Sequence, residues 1–378
     1  MFAGKIRFMG VERMETFFLA ALARAGGVGS RRLQTLLNEY GTAQVIWSLP
    51  KKELLASNSI PGHLSAAIAR YREDDPDAPQ KLEESCRKKK IRAVNISEPG
   101  YPEPLKHIFD PPLVLFYRGC FDSQENCLAM VGSRNASSYG EGVAREFAEV
   151  LAGAGFTVVS GGARGIDTFS HVGALKTGRT IAVLGCGVDV AYPSENRRLF
   201  DEIAEKGAVL SEYGPGTQPF PAFFPARNRI ISGMARGTIV VEAAERSGSL
   251  ITAELAVNEG RDVFAVPASI YSDRSKGCHR LIQQGARLVS GVEDILEEYG
   301  IQRKAGASAP KKKLPEMTQE EAAVFHVLSA AHPLSMDEII YNLHGAPVSN
   351  IAFLLLQLEL KGYVKENETH AYLRAERE

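Results

Sequence analysis

Four short stretches of this chain combine Gly, Ser and Arg in a way suited to holding phosphates. The first is Gly132-Ser133-Arg134, followed by Asn135 and a loop of Ser, Tyr and Gly. The second is Ser160-Gly161-Gly162-Ala163-Arg164-Gly165-Ile166-Asp167, and the third runs from Phe223-Phe224-Pro225-Ala226 through Arg227-Asn228-Arg229 to Ile231. The fourth is Val241-Glu242-Ala243, then Ser247-Gly248-Ser249 at the start of a helical run. Glycine lets a backbone approach an anion closely, and helix-opening Ser and N–H groups supply donors. Arg adds a two-pronged donor that matches a phosphate. Arg227 and Arg229 fall in the expected first turn of a helix beginning near Pro225. A positive side chain there opposes the helix dipole by roughly 0.3–1 kcal/mol, a cost that an anion bound between the two would reverse. The competing reading pairs one or both arginines with Asp or Glu across the domain, and a single Arg after a strand, such as Arg134, is common.

Other chemistries lack their residues. A dinucleotide site needs GxGxxG after the first strand and an acid about 20 residues on; Gly132 starts no such pattern, and the second strand ends in Ser-Gly-Gly. No GxxxxGK[ST] loop is present, which removes ATP hydrolysis of that type. Asp167 and His171 lie one helical turn apart, so they share a face; a hydrolytic or metal role stands beside a simple helix-face contact. The other His are scattered without metal-ligand spacing. Cys186 ends a strand with no activating neighbour. No catalytic residue, metal or cofactor is expected.

These loops need a scaffold, and the pattern around them supplies one. Strand-like runs recur at Leu128–Gly132, Thr157–Gly161, Thr180–Gly185, Ala208–Ser211, Thr238–Glu242, Asp262–Pro267 and Arg287–Ser290. Helical stretches separate most of them, among them Gly140–Ala154, Asp167–Lys176, Glu195–Lys206 and Leu250–Glu259. That alternation predicts an α/β fold, an extended Rossmann-like parallel sheet with helices on both faces. Ligands in such sheets sit beyond the carboxyl ends of the strands, where this sequence concentrates its Gly, Ser and Arg. A small helical domain precedes it. There Gly26-Gly27-Val28-Gly29 opens the run Ser30–Tyr40, and Ile60-Pro61-Gly62-His63-Leu64 opens another to about Arg72. These hairpins read either as SAM or helix-hairpin-helix-like phosphate contacts or as plain helical packing. Beyond the sheet, Gly306–Pro315 is a basic linker. Two capping boxes, Thr318…Glu321 and Ser335…Glu338, then a helix over about Ser349–Lys361 and a hairpin to Arg374, predict a winged helix. The expected domains are therefore 1–80, 81–302, a linker at 303–315, and 316–378.

With 44% hydrophobic and 24% charged residues, the composition is that of a soluble globular protein. Apolar stretches such as Phe17 to Ala23 are too short to span a bilayer, so no membrane is expected. The first residues lack the succession of a secretory signal, which makes the cytoplasm the expected location. The five cysteines, with no CxxC pair, suggest buried thiols. The net charge of −1 hides a pattern: residues 1–100 carry +5, residues 101–302 carry −5, Arg303 to Lys313 carry +5, and the tail from Leu314 carries −6. Phosphate binding in the middle must come from placed groups, because the field of that whole domain repels DNA.

At these residues the sequence resembles the DNA-processing protein A family, also called Smf. The likeness runs through IxDPPLVLFYRG (108–119), MVGSRxxSxYG (130–140), SGGARGIDxxxH (160–171) and IAVLGCGVD…YPSEN (181–196). It continues through SEY.P (211–215), FPARNRIIS (224–232), VVEAAERSGSLITAxLA (240–256) and RLIQQGA (280–286). Pro267-Ala268 departs from the family's usual Pro-Gly and puts contacts by the loop Ser269–Lys276 in question. The resemblance implies single-stranded DNA binding through the Rossmann-like domain and a homodimer formed through it. It also implies loading of the RecA recombinase onto the strand, with displacement of single-stranded DNA-binding protein, during natural transformation. Carried over by residue, the phosphate contacts would be Gly132, Ser133, Arg134, Gly161, Gly162, Arg164, Gly165, Arg227, Asn228, Arg229, Ser247, Gly248 and Ser249, with Lys276 at the rim. Phe223 or Phe224 would offer a base a stacking surface, against the alternative of core packing.

The acidic tail, whose third helix carries one Lys and no Arg, suits a protein or intramolecular contact better than duplex DNA. Two other classes compete with the DNA reading. One is a nucleotide-cleaving phosphoribohydrolase of the lysine-decarboxylase-like (LOG) group, which carries PGGxGTxxE where this chain has Val241 to Ser249 without that motif. The other is a scaffold that binds only protein.

Overall fold

The structure, a computed structural model, describes residues 14–301, 317–329, 333–343, 350–367 and 370–374. The chain divides into two compact units at Ile301/Gln302. None of the described helices is long and apolar enough to cross a membrane. The expected linker at 303–315 lies outside the described residues.

The first unit opens with helices α1 (14–24), α2 (Ser30–Tyr40), α3 (Ala43–Ser48), α4 (Lys51–Ala56), α5 (Gly62–Asp74) and α6 (Ala78–Lys88). Both expected hairpins form, and they touch: a Cβ on Gly27 would lie 3.6 Å from Leu64 Cδ2. Leu33, Leu36, Ile46, Leu54 and Ile68 are fully buried between these helices. Their apolar cluster runs on without a break through Leu82 and Cys86 to Phe116, Phe200 and Val209 of the sheet domain. The helices and the sheet therefore share a core across the expected division at residue 80.

The sheet has nine strands, β1 (Arg92–Asn95), β2 (Val114–Gly119), β3 (Cys127–Val131), β4 (Thr157–Ser160), β5 (Arg179–Val183), β6 (Ala208–Ser211), β7 (Gly237–Val240), β8 (Asp262–Ala265) and β9 (Arg287–Leu288). Their order is β1-β2-β6-β5-β4-β3-β7-β8-β9. From β6 to β9 every pairing is parallel, while β1 and β2 add an antiparallel edge. The central strands are buried throughout, as strands covered on both faces must be. All seven expected strands are present with ends shifted by a residue or two. The edge pair β1 and β2 was not expected, because β1 is only four residues long and β2 follows the turn-like Asp110-Pro111-Pro112.

Helices α7 (Ser138–Gly153), α8 (Ile166–Thr177), α9 (Arg197–Lys206), α10 (Phe223–Met234), α11 (Gly248–Asn258), α12 (Lys276–Gln283) and α13 (Val292–Glu298) cover the sheet. Helix α10 starts two residues before Pro225, so Arg227 is its fifth residue and lies beyond the first turn. The expected helix-dipole cost at Arg227 and Arg229 is weakened accordingly, since the dipole acts within the first turn.

The second unit contains α14 (Gln319–Val327), α15 (Met336–Asn342), α16 (Ile351–Leu360) and the antiparallel pair β10 (Val364–Glu366) and β11 (Tyr372–Arg374). Both expected capping boxes form, at Thr318/Glu321 and Ser335/Glu338. Val324, Ile339, Leu355 and Leu358 make its core. These are the helices and hairpin of a winged helix.

Helices α7 and α8 carry two of the candidate loops at their N-termini, and their separation is set by Gly173. A Cβ there would sit 2.3 Å from the Arg145 carbonyl oxygen. We expect Gly173→Ala to push the two helices apart and to destabilise the protein by about 1–3 kcal/mol in urea unfolding; an unchanged midpoint would show that this contact does not set their spacing.

Candidate nucleic-acid interface

In a parallel sheet each helix that follows a strand begins at that strand's carboxyl end. The N-termini of α7, α8, α9, α10, α11 and α12 therefore share one rim with the loops after β3 to β8. Strand β3 has β4 on one side and β7 on the other, which makes the β3/β7 boundary the point where the winding direction reverses and a crevice opens. Backbone bonds tie the loops together there. Ser133 N donates to Glu242 O at 2.7 Å, Ile166 N to Ser133 O at 3.1 Å, and Gly277 N to Ala243 O at 2.8 Å. Gly165 opens α8 at φ 72°, and a Cβ on it would lie 2.3 Å from Ser133 O, so only glycine fits. The Glu242 carboxylate is buried and accepts from Ser137 N at 2.9 Å and Ser137 Oγ at 2.7 Å. It anchors the start of α7.

Arg227 sits inside the rim and not on its open side. Its side chain is buried, and its guanidinium donates through Nη1 to Gly161 O at 2.6 Å and to Val183 O. Asp167, also buried, accepts from Gly161 N at 3.1 Å and Ala163 N at 3.3 Å. The two charges flank Gly161: a Cβ on that residue would come within 2.6 Å of both Arg227 Nη2 and Asp167 Oδ2. Burial pushes the Asp167 carboxyl up and the Arg227 guanidinium down, and each charge opposes the other's shift. Arg227 thus braces the ends of β4 and β5. Arg229 donates to Asp110 Oδ2 at 3.0 Å and to both Glu212 carboxylate oxygens at 2.7 and 2.9 Å. For these two arginines the ion-pairing alternative is the observed one for Arg229, and a carbonyl-bonded brace replaces it for Arg227.

His171 completes the buried group. Its Nδ1 meets Thr180 Oγ1 at 2.7 Å, and burial first, then repulsion by Arg227, pushes its pKa down to about 3. It stays neutral at physiological pH, and its Nδ1 is taken by Thr180 and not by Asp167. The Cys186 thiol is pushed up to about 11 by burial, which keeps it protonated and unreactive. Among the described residues no cluster of His, Cys, Asp or Glu is placed to hold a metal ion.

The remaining expected residues divide by what they touch. Gly132 packs on Ile166 and Gly162 on Phe200, while the Gly161 amide is taken by Asp167. Those three glycines shape the loops from beneath. On the open side, Arg134 is exposed and its guanidinium stands 5.6 Å from the Phe224 ring centroid. Arg164 is exposed and paired with Glu195. Ser133 Oγ closes its own loop through Asn135. Ser247 caps α11 by accepting from Ser249 N, Ser249 is buried, and Gly248 has open space around its Cα. Asn228 Nδ2 donates to Gly248 O at 3.4 Å, and Lys276 is exposed and paired with Asp273 at 2.7 Å. Phe223 and Phe224 are half-buried in a run of rings that also includes Tyr192, Tyr213 and Phe220. The sequence reading missed these three rings and the exposed pair Arg197 and Arg198 at the start of α9. Arg197-Arg198 after YPSEN, at a helix start following a strand, was the available signal.

A brace and a ligand respond differently to deletion. Arg227→Ala leaves Asp167 and two carbonyls without their partner, and we expect a loss of about 3–5 kcal/mol in unfolding free energy. Arg134→Ala, at an exposed site, should stay within about 0.5 kcal/mol of the unaltered protein. Equal small effects would return Arg227 to the surface.

Comparisons with known proteins show what this chain is similar to. Residues 92–300 match the family model for DNA recombination-mediator protein A, and residues 308–367 match the DprA winged helix domain. The chain is 50% identical over 214 residues to DNA processing protein DprA of Streptococcus pneumoniae, covering 56% of this chain and 75% of that one. It is 32% identical to protein Smf of Synechocystis over 398 residues, 95% of this chain and 99% of the other. Among solved structures, DNA processing protein A from Streptococcus pneumoniae superposes with a TM-score of 0.66 at 42% identity, covering 75% of this chain and 97% of that one. The Helicobacter pylori protein, studied for its unique single-stranded DNA binding mode, superposes with a TM-score of 0.51 at 28% identity, covering 56% and 95%. The chain belongs to the DNA recombination-mediator protein A family, DprA/Smf.

Proposed function

We propose that this protein binds single-stranded DNA along the carboxyl-end rim of its Rossmann-like domain and acts in the cytoplasm as a non-enzymatic mediator. In that role it loads RecA recombinase onto the strand and displaces single-stranded DNA-binding protein during natural transformation. The observation that carries the reading is the exposed Arg134 over the Phe224 ring, beside the helix-opening loops at Arg164 and Gly248. A cation, open amide-bearing loops and a ring meet there, which are the parts that single-strand binding uses. The single-stranded DNA binding of the Helicobacter pylori relative supports it. Against catalysis stand the engaged carboxylates of Glu242 and Asp167 and the buried, neutral His171.

The proposed phosphate contacts are Arg134, Arg164, Ser133, Gly165, Ser247, Gly248 and Asn228, with Lys276 at the rim and Gly132, Gly161, Gly162 and Ser249 shaping the loops. Arg197 and Arg198 join the exposed cations. Fluorescence anisotropy of labelled oligo-dT and its matched duplex across a salt series tests this. We expect tight single-strand and weak duplex binding, with the salt slope shallower by about 0.7 for each of Arg134→Ala and Arg164→Ala and unchanged for Arg227→Ala. Absence of single-strand binding at low salt would leave the protein-scaffold reading.

Homodimerisation through the same domain is part of the proposal. A groove of about 1050 Å³ runs between α11 and α12 toward the edge strand β9. Ile251 and Val257 are exposed there at 41% and 60%. Burying that apolar patch against a second copy would remove it from water. Sedimentation should find a dimer at micromolar protein that Val257→Asp converts to monomer; a monomer without the substitution would refute this part.

A further inference from the structure

The aromatic rim beside Arg134 has a geometry that the phosphate loops do not account for. Two ring pairs flank the start of α10. Tyr192 leans on Phe224 with centroids 5.3 Å apart and planes 36° apart. Phe220 meets Phe223 edge-on at 5.6 Å and 62°. The inner rings are seated from behind: Phe223 stacks on Tyr213 at 4.1 Å and 25°, and Phe224 lies against the backbone of Gly185, where a Cβ would be 3.0 Å away. The outer rings are not. Tyr192 is 45% exposed and Phe220 is 57% exposed. A core would bury these rings; here each outer ring keeps one edge or face on a seated inner ring and leaves the rest to solvent.

We propose that Tyr192 and Phe220 are stacking positions for two unpaired bases, and that this platform, more than the phosphate loops, selects single strands over duplex. The proposal rests on the single-stranded DNA reading and deepens it. Phe224 is shared between the Tyr192 ring and the Arg134 guanidinium, so a phosphate held at Arg134 puts its nucleotide's base within reach of the first ring pair. Phe223 and Phe224 are adjacent in the chain, which puts the second pair next along the same helix end. An exposed ring offers its face to any base, so the contact tolerates every sequence. In a duplex the bases are stacked on one another and paired, and the rings find no free face. The cations attract either form of DNA; the rings reward only the unpaired one.

The test uses Tyr192→Ala and Phe220→Ala in the full chain, with three probes: oligo-dT, a matched duplex and an abasic sugar–phosphate oligomer. Both positions are exposed, and thermal unfolding verifies that the variants are folded. We expect each substitution to weaken oligo-dT binding by roughly 5- to 100-fold. The salt slope should not change, because no phosphate contact is lost. Affinity for the duplex and for the abasic oligomer should stay as in the unaltered protein, and Tyr192→Trp should retain oligo-dT binding. A 2-aminopurine base in the strand should be quenched on binding, and less so in the alanine variants. Alanine variants that bind oligo-dT like the unaltered protein, or that lose as much affinity for the abasic oligomer, overturn the base platform while leaving salt-dependent binding at Arg134 intact. No binding of oligo-dT by the unaltered protein overturns the DNA reading and this proposal with it.

Discussion

The Arg227 guanidinium is enclosed by protein, and a charge that far from water must be matched by fixed partners. Here the partners are the carbonyls at the ends of β4 and β5, with the Asp167 carboxylate on the far side of Gly161. Asp167 in turn takes two amides of the same loop. Removing any member would leave another polar group buried and unsatisfied, so the arrangement persists as a unit. It fixes where the β4 loop runs, and through the bond between Ile166 N and Ser133 O it fixes the β3 loop as well.

From that constraint a division of labour follows across the rim. Buried polar groups, Arg227, Asp167, Glu242 and Ser137, hold the loops in place. Glycines at 132, 162 and 165 let backbone and side chains pass too closely for any Cβ. Groups that can meet a ligand, Arg134, Arg164, Arg197 and Arg198, stand outside this framework in solvent. The sheet domain as a whole is acidic, so these few cations must act locally. A preformed rim of this kind needs little reordering to bind, which leaves more of the contact energy as affinity.

Much of this was legible in the sequence because it is written in local rules. Alternating strand and helix runs placed the parallel sheet and the loops at its carboxyl edge, and capping boxes placed the helices of the second unit. What local rules leave open is long-range. FPARNRIIS reads as a pair of phosphate-binding arginines, because a sequence does not show that Asp167, 60 residues earlier, and the acids Asp110 and Glu212 converge on them. The antiparallel strands β1 and β2 were hidden for a related reason: the short edge strand β1 owes its existence to its neighbour more than to its own pattern. The rings of Tyr192, Tyr213 and Phe220 lie on loops after β5, after β6 and before α10, and become one surface only when those elements meet. The second unit adds a different lesson. Its third helix α16 exposes Phe353, Leu356 and Leu360 where duplex binders place cations, so its winged-helix form does not by itself imply DNA contact.

The central claim is that the rim is a braced framework whose buried arginine supports the binding surface without touching the ligand. A crystal structure of the protein with a short oligo-dT tests it most directly. The account predicts the Arg227 guanidinium still on the carbonyls of Gly161 and Val183, with the nearest phosphate on the Arg134 side of the loops. A guanidinium of Arg227 turned outward onto a phosphate would contradict it.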